Sequence, residues 1–223
     1  MRGREFKRYV RELLNTSDTD TIMNELREIP ARRIVNTLFP LLPDTDPNIK
    51  WKAVTLMGVF VTRLAEDSME NARVIVRRLM WNLNDESGGI GWGCPEAMGE
   101  ILCCHHGLAE EYSRILISYI RKDGNYQETE LLQRGLLWGI GRLAQARPEY
   151  VRDSAPLILP YLESRDPGVR GLALWALNML DTDDTGDIPE RLKTDASEIR
   201  IYMNHRLVDF RIKDLAQGTY RDS

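Results

Sequence analysis

The chain is poor in most residues and motifs that mark an enzyme. Of its 223 residues only three are histidine and three cysteine. No Ser-His-Asp order, P-loop or G-x-G-x-x-G fingerprint is present. The cysteines, Cys94, Cys103 and Cys104, crowd together, which excludes the even, dispersed framework of a disulfide-stapled secreted domain and leads us to expect a reducing, cytoplasmic setting. No apolar run approaches the roughly 18 residues that cross a bilayer, and the opening MRGREFKRYV has no apolar segment behind it, so a soluble protein without a membrane span is expected. Charge of one sign is also lacking. Thirty Lys and Arg oppose 34 Asp and Glu, giving a formal net charge of −4. With no basic half to grip a phosphate backbone, the balance argues against nucleic acid.

What the chain does have is apolar periodicity. Hydrophobic residues make up 43% of it, enough for a continuous core. DPGVRGLALWALNML (166–180) places Pro167 in a first helical turn after Asp166, and its apolar residues fall on one stripe. DPNIKWKAVTLMGVF (46–60) repeats that layout, and CPEAMGEIL and LQRGLLWGIGRLA are looser versions. With Ala53, Ala97, Leu136 and Ala173 as equivalent contact positions, the intervals are 44, 39 and 37 residues, a spacing typical of stacked helix pairs. Amphipathic first helices are predicted over Arg32 to Leu42, Met69 to Leu83, Ala109 to Arg121 and Pro148 to Glu163. The fold predicted is all-α, a right-handed α-solenoid of about four helix pairs.

The organisation expected is one continuous domain in three parts. Residues 1–30 supply short capping helices, 31–182 the repeats and 183–223 a C-terminal cap after the acidic run DTDDTGD (181–187). EIRIYMNHRLVDFRI (198–212) alternates apolar and polar residues around Asn204 and His205, as a β-hairpin does. A two-residue turn pairs Met203 with Arg206, Arg200 with Asp209 and Glu198 with Arg211. A helix over Ile199, Met203, Leu207 and Phe210 is the alternative.

The D-P-x-V-R-x-x-A-x-x-A-L pattern at 166–177 resembles the HEAT-like repeats of phycobilisome lyase subunits, and the likeness extends over about residues 31–180. The whole chain is also similar to a prokaryotic family of HEAT-repeat proteins carrying a W-x-L-N-D-E-S-G-G-x-G-W-G-x-P-E-A-x-G-E stretch. Here that stretch is Trp81 to Glu100. The resemblance implies architecture and brings no activity with it.

That stretch inserts a ten-residue loop, Asn84 to Gly93, between two helices. Glycines at 88, 89, 91 and 93 permit close backbone approach, and Trp81 and Trp92 at its edges can form an aromatic wall. Glu96 and Glu100 project from one face of the following helix, with Asp85 and Glu86 within reach. Like charges so placed need a compensating cation or ligand. Arg134, Trp138 and Arg142, spaced by four, share one face of a later helix, and the two arginines are expected to supply that cation where the helix lies next to Glu96 and Glu100. CCHH (103–106) suggests a metal, yet only Cys103 and His106 share a face and no partnering C-x-x-C exists. No metal or cofactor is therefore predicted.

Three uses of the loop follow from these residues: a binding site, a structural plug, or a catalytic centre. The reading adopted is a non-enzymatic interaction module whose concave face, near the loop, takes a protein segment or small ligand. Its candidate residues are Trp81, Asn84, Asp85, Glu86, Trp92, Glu96, Glu100, Arg134 and Trp138. The alternatives are a lyase-like maturation enzyme using Glu96 or Glu100 as acid or base and a HEAT-like DNA glycosylase, against which the net charge speaks.

Overall fold

The computed structural model describes residues 3–85, 91–180 and 188–218. Two compact units divide the chain, Met1–His105 and His106–Ser223. The predicted acidic loop 181–187 lies outside the described residues, as does Glu86.

In the first unit, α1 (Gly3–Thr16) and α2 (Thr19–Leu26) precede α3 (Ala31–Leu38), α4 (Pro47–Asp67), α5 (Met69–Leu83) and α6 (Cys94–Cys104). Each start has a local cause. Asp18 accepts a hydrogen bond from the Thr21 amide at 2.8 Å, and Asp46 accepts one from Asn48 at 2.9 Å just before Pro47, so both aspartates are N-caps. The predicted 32–42 helix stops being α-helical at Leu38 and finishes as a 3-10 turn over Phe39–Leu41, because Pro40 donates no hydrogen bond. Helix α4 is the hub, packed against α1, α3, α5 and α6.

In the second unit α7 (His106–Ser118) packs on α8 (Glu130–Ala146), and α8 lies against α10 (Pro167–Leu180). The amphipathic helix expected over 148–163 is not one helix. It breaks into 3-10 turns at Pro148–Tyr150, Arg152–Ser154 and Leu159–Glu163 around the single α-turn α9 (Ala155–Ile158). Pro156 and Pro160 cannot continue an i to i−4 ladder, while the apolar stripe they interrupt, Val151, Ala155, Ile158 and Leu162, is still buried. The four contact positions read from the sequence, Ala53, Ala97, Leu136 and Ala173, are all fully buried. Gly141 lets Trp175 pack against the α8 backbone where a Cβ would collide.

The hairpin forms in the predicted register. Strands β1 (Glu198–Met203) and β2 (Arg206–Arg211) pair antiparallel, Glu198 opposite Arg211, Arg200 opposite Asp209, and Met203 opposite Arg206. Asn204 and His205 both take positive φ, 50° and 62°, the backbone a two-residue turn of this twist requires. The helical alternative is thereby excluded. A short α11 (Ile212–Ala216) follows.

Arg170 ties α10 to this end, its Nε donating to Asp195 at 2.8 Å and its Nη2 to Ser197 at 3.2 Å. Burial pushes the Asp195 carboxyl up, but the bonds from Arg170 and Ser197 outweigh it and hold the group at about 2, against an ordinary 3.8. A depressed carboxyl stabilises the fold above its unfolded pKa, and that stability is lost as pH falls through the folded value. Chemical denaturation at pH 5 and pH 2 should therefore differ by about 2 kcal/mol more in the native chain than in Asp195→Asn. Equal differences in the two proteins would contradict this assignment.

Candidate functional site

The 84–93 loop is held at both ends by the first unit. Helix α5 closes with the Asn84 amide donating to the Met80 and Trp81 carbonyls. On the far side Gly91 lies close against the Asn82 and Leu83 backbone, and its carbonyl accepts from the Cys94 amide at 3.0 Å. Gly93 has φ of +78° and sits on the Leu42 carbonyl, where a Cβ would clash. Alanine there should cost about 1–3 kcal/mol, read as a lower urea midpoint with unchanged m. An unshifted midpoint would contradict this geometry. Burial pushes the Cys94 thiol up to about 12, so it stays protonated and unreactive at neutral pH.

The structure separates the indoles from the acids that the sequence grouped together. Trp81 is 75% exposed and Trp92 42%. Glu96 and Glu100 share the predicted face of α6, but each is only 5% exposed, so neither carboxylate is presented to the surface. Glu96 Oε1 accepts from Lys50 Nζ at 2.6 Å, while its Oε2 is buried without a hydrogen bond. Glu100 packs beside Gly58, and Cys104 Sγ lies 3.8 Å from its Oε1. Asn84 is exposed and Asp85 half-buried.

The cation expected from Arg134 or Arg142 is supplied instead by Lys50. Sequence reasoning missed it, although Lys50 occupies the position after Asp46-Pro47 that Arg170 occupies after Asp166-Pro167. Each of those motif cations reaches an acid in a later element, Glu96 and Asp195. Arg134 forms a two-point pair with Asp166, Nε to Oδ1 at 2.8 Å and Nη2 to Oδ2. That bonding raises the arginine's pKa and lowers the aspartate's. The side chains of Asp166 and Arg170, four apart in the sequence, thus bond to Arg134 and Asp195 and not to each other. Arg142 meets Gln145.

Trp138, predicted to offer a binding face, is 2% exposed and donates its indole N–H to the Tyr202 carbonyl at 2.9 Å. The hairpin covers it, which a single-helix reading of α8 could not show. Cys103 is buried in α6, and the His106 ring stands 3.2 Å from the Tyr150 hydroxyl. Among the described residues no group of three or more His, Cys, Asp or Glu is placed to hold a metal, and no helix is long and apolar enough to cross a membrane.

Comparison with known proteins places the fold. An uncharacterized protein of Archaeoglobus fulgidus is 26% identical over 195 residues, covering 85% of this chain and 95% of that one. A designed armadillo repeat protein in complex with the peptide (KR)4 is 14% identical, with a TM-score of 0.52 over 94% of this chain and 96% of the other. A computationally designed armadillo repeat protein for modular peptide recognition is likewise 14% identical, with a TM-score of 0.55 over 96% and 90%. These likenesses establish a helical-repeat, α-solenoid fold, and residues 130–180 match the family described as HEAT-like repeat.

Proposed function

We propose that the chain is a non-catalytic helical-repeat module that binds a segment of a partner protein at the surface bearing Trp81 and Trp92. The observation that carries this reading is the exposure of those two indoles at the edges of one loop. A large aromatic ring left in water forgoes roughly 25 cal/mol per Å² of apolar surface, and tryptophans in such positions are the commonest anchors of protein interfaces. Asn84 and Asp85 add polar groups between them. Glu96 and Glu100, both buried, hold α6 against α4 and so fix the loop's C-terminal end. The shared fold supports the reading, since the two designed relatives named above are built for, or complexed with, peptides.

Panning a displayed library of random peptides against the chain tests it. Enrichment is expected, and it should disappear with Trp81→Ser/Trp92→Ser while thermal unfolding stays within a few degrees of the parent. No enrichment, or enrichment that the double variant retains, would refute the reading.

A further inference from the structure

Two helices of the first unit that are distant in sequence are both basic. In a chain of net charge −4, α3 and α5 together carry five arginines, Arg32, Arg33, Arg73, Arg77 and Arg78, against one acid, Glu70. Both helices pack on α4, and Arg78 joins them. Its guanidinium stacks 3.9 Å over the Phe39 ring, and its Nη1 lies 3.3 Å from Asn36 Oδ1. The single acid is shared, since Glu70 pairs with both Arg73 and Arg77. Beside them an open hollow of about 500 Å³ between α1 and α3 is lined by Lys7, Arg32 and Arg33 around Phe6 and Pro30.

The same face carries apolar anchors. Val74 is 42% exposed and Trp81 75%. Seven residues apart, they stand about two turns from each other on one side of α5, with Arg77 and Arg78 between them. Apolar, cationic, apolar at this repeat is the complement of an amphipathic helix whose flanks are acidic.

We propose that the α3–α5 face receives the partner segment and that this segment is acidic, with apolar side chains spaced to meet Val74 and Trp81. The proposal rests on the segment-binding reading above and adds the partner's chemistry. It sets this chain apart from the designed armadillo protein complexed with (KR)4, because a basic peptide would be repelled here. A peptide fits better than a phosphate backbone, since the exposed Val74 and Trp81 flanking Arg77 and Arg78 call for apolar side chains at helical spacing.

The test uses three labelled peptides of about 16 residues with identical leucines at helical spacing and the remaining positions Glu, Gln or Lys. Fluorescence anisotropy should show the Glu peptide binding about tenfold or more tighter than the Gln peptide. The Lys peptide should not bind. Added salt should weaken the Glu peptide most. Arg32→Glu/Arg77→Glu, two exposed positions, leaves three arginines against three acids on these helices and should abolish the preference for the Glu peptide while keeping the parent's circular dichroism. Tight binding by the Gln or Lys peptide, or displacement of the Glu peptide by an equimolar oligouridine, would overturn the acidic assignment, as would failure of all three peptides to bind. If a peptide of the wrong charge binds and Trp81→Ser abolishes that binding, segment binding survives without the acidic preference. Binding indifferent to Trp81→Ser would remove both.

Discussion

Replacing Trp138 with alanine is expected to lower the unfolding free energy by about 3–5 kcal/mol, the range for emptying a large aromatic site in a packed core. The indole is 2% exposed, it packs at a tilt with its centroid 6.4 Å from that of Tyr202, and its N–H satisfies the Tyr202 carbonyl. Alanine removes the volume and leaves a buried carbonyl without its donor, two costs that add. Trp81→Ala is the matched control, because an exposed ring should shift stability by no more than about 0.5 kcal/mol. Urea denaturation of the two variants decides the point. Similar losses in both would mean that the indoles are not divided into core and surface as described.

The second large effect concerns Lys50. Lys50→Met should cost about 3–5 kcal/mol, because it leaves the Glu96 carboxylate buried and uncompensated. Lys50 and Glu96 side chains are 21% and 6% exposed, so solvent cannot replace the ammonium. Adding Glu96→Gln to the Lys50→Met chain should recover most of the loss, since the charge that lacked a partner is gone. The exposed pair of Arg121 and Asp123 should behave differently, with Asp123→Asn leaving the urea midpoint unshifted. If Lys50→Met proved as mild as Asp123→Asn, the Lys50–Glu96 pair would not hold α6 to α4.

The repeat architecture was legible because it is written in local rules. Asp-Pro starts, a 3.6-residue apolar period and the recurrence of Ala53, Ala97, Leu136 and Ala173 each demand helices with one buried stripe, and all four residues are buried. The hairpin was legible for a similar reason, since Asn204 and His205 fit a tight turn and the cross-strand charges fix one register. Where the fold departed from expectation, the cause was again in the sequence but underweighted. Pro156 and Pro160 carry more force than the amphipathic pattern they interrupt.

The candidate site was less readable. Period alone put Glu96 and Glu100 on one face, yet which way that face turns depends on α4, whose Gly58 makes room for Glu100 and whose Lys50 answers Glu96. Trp138 failed as a surface residue because its cover, the hairpin, lies 64 positions away in the chain. The basic α3–α5 face does not show in the chain's overall charge balance, because its arginines are split between α3 and α5 and only packing on α4 gathers the two groups in one unit.

In the docking mode proposed above Trp81 and Trp92 take up the partner segment, while Trp138 and Trp175 serve the core and Trp51 is half-buried under Lys50. The chain has five tryptophans, so titrating ¹⁵N-labelled protein with the Glu-rich peptide and following the indole N–H resonances reads that division directly. The account predicts that the Trp81 and Trp92 signals move together and saturate, with Trp138 and Trp175 unmoved. Shifts confined to Trp138 or Trp175, or five static resonances at saturating peptide, would contradict it.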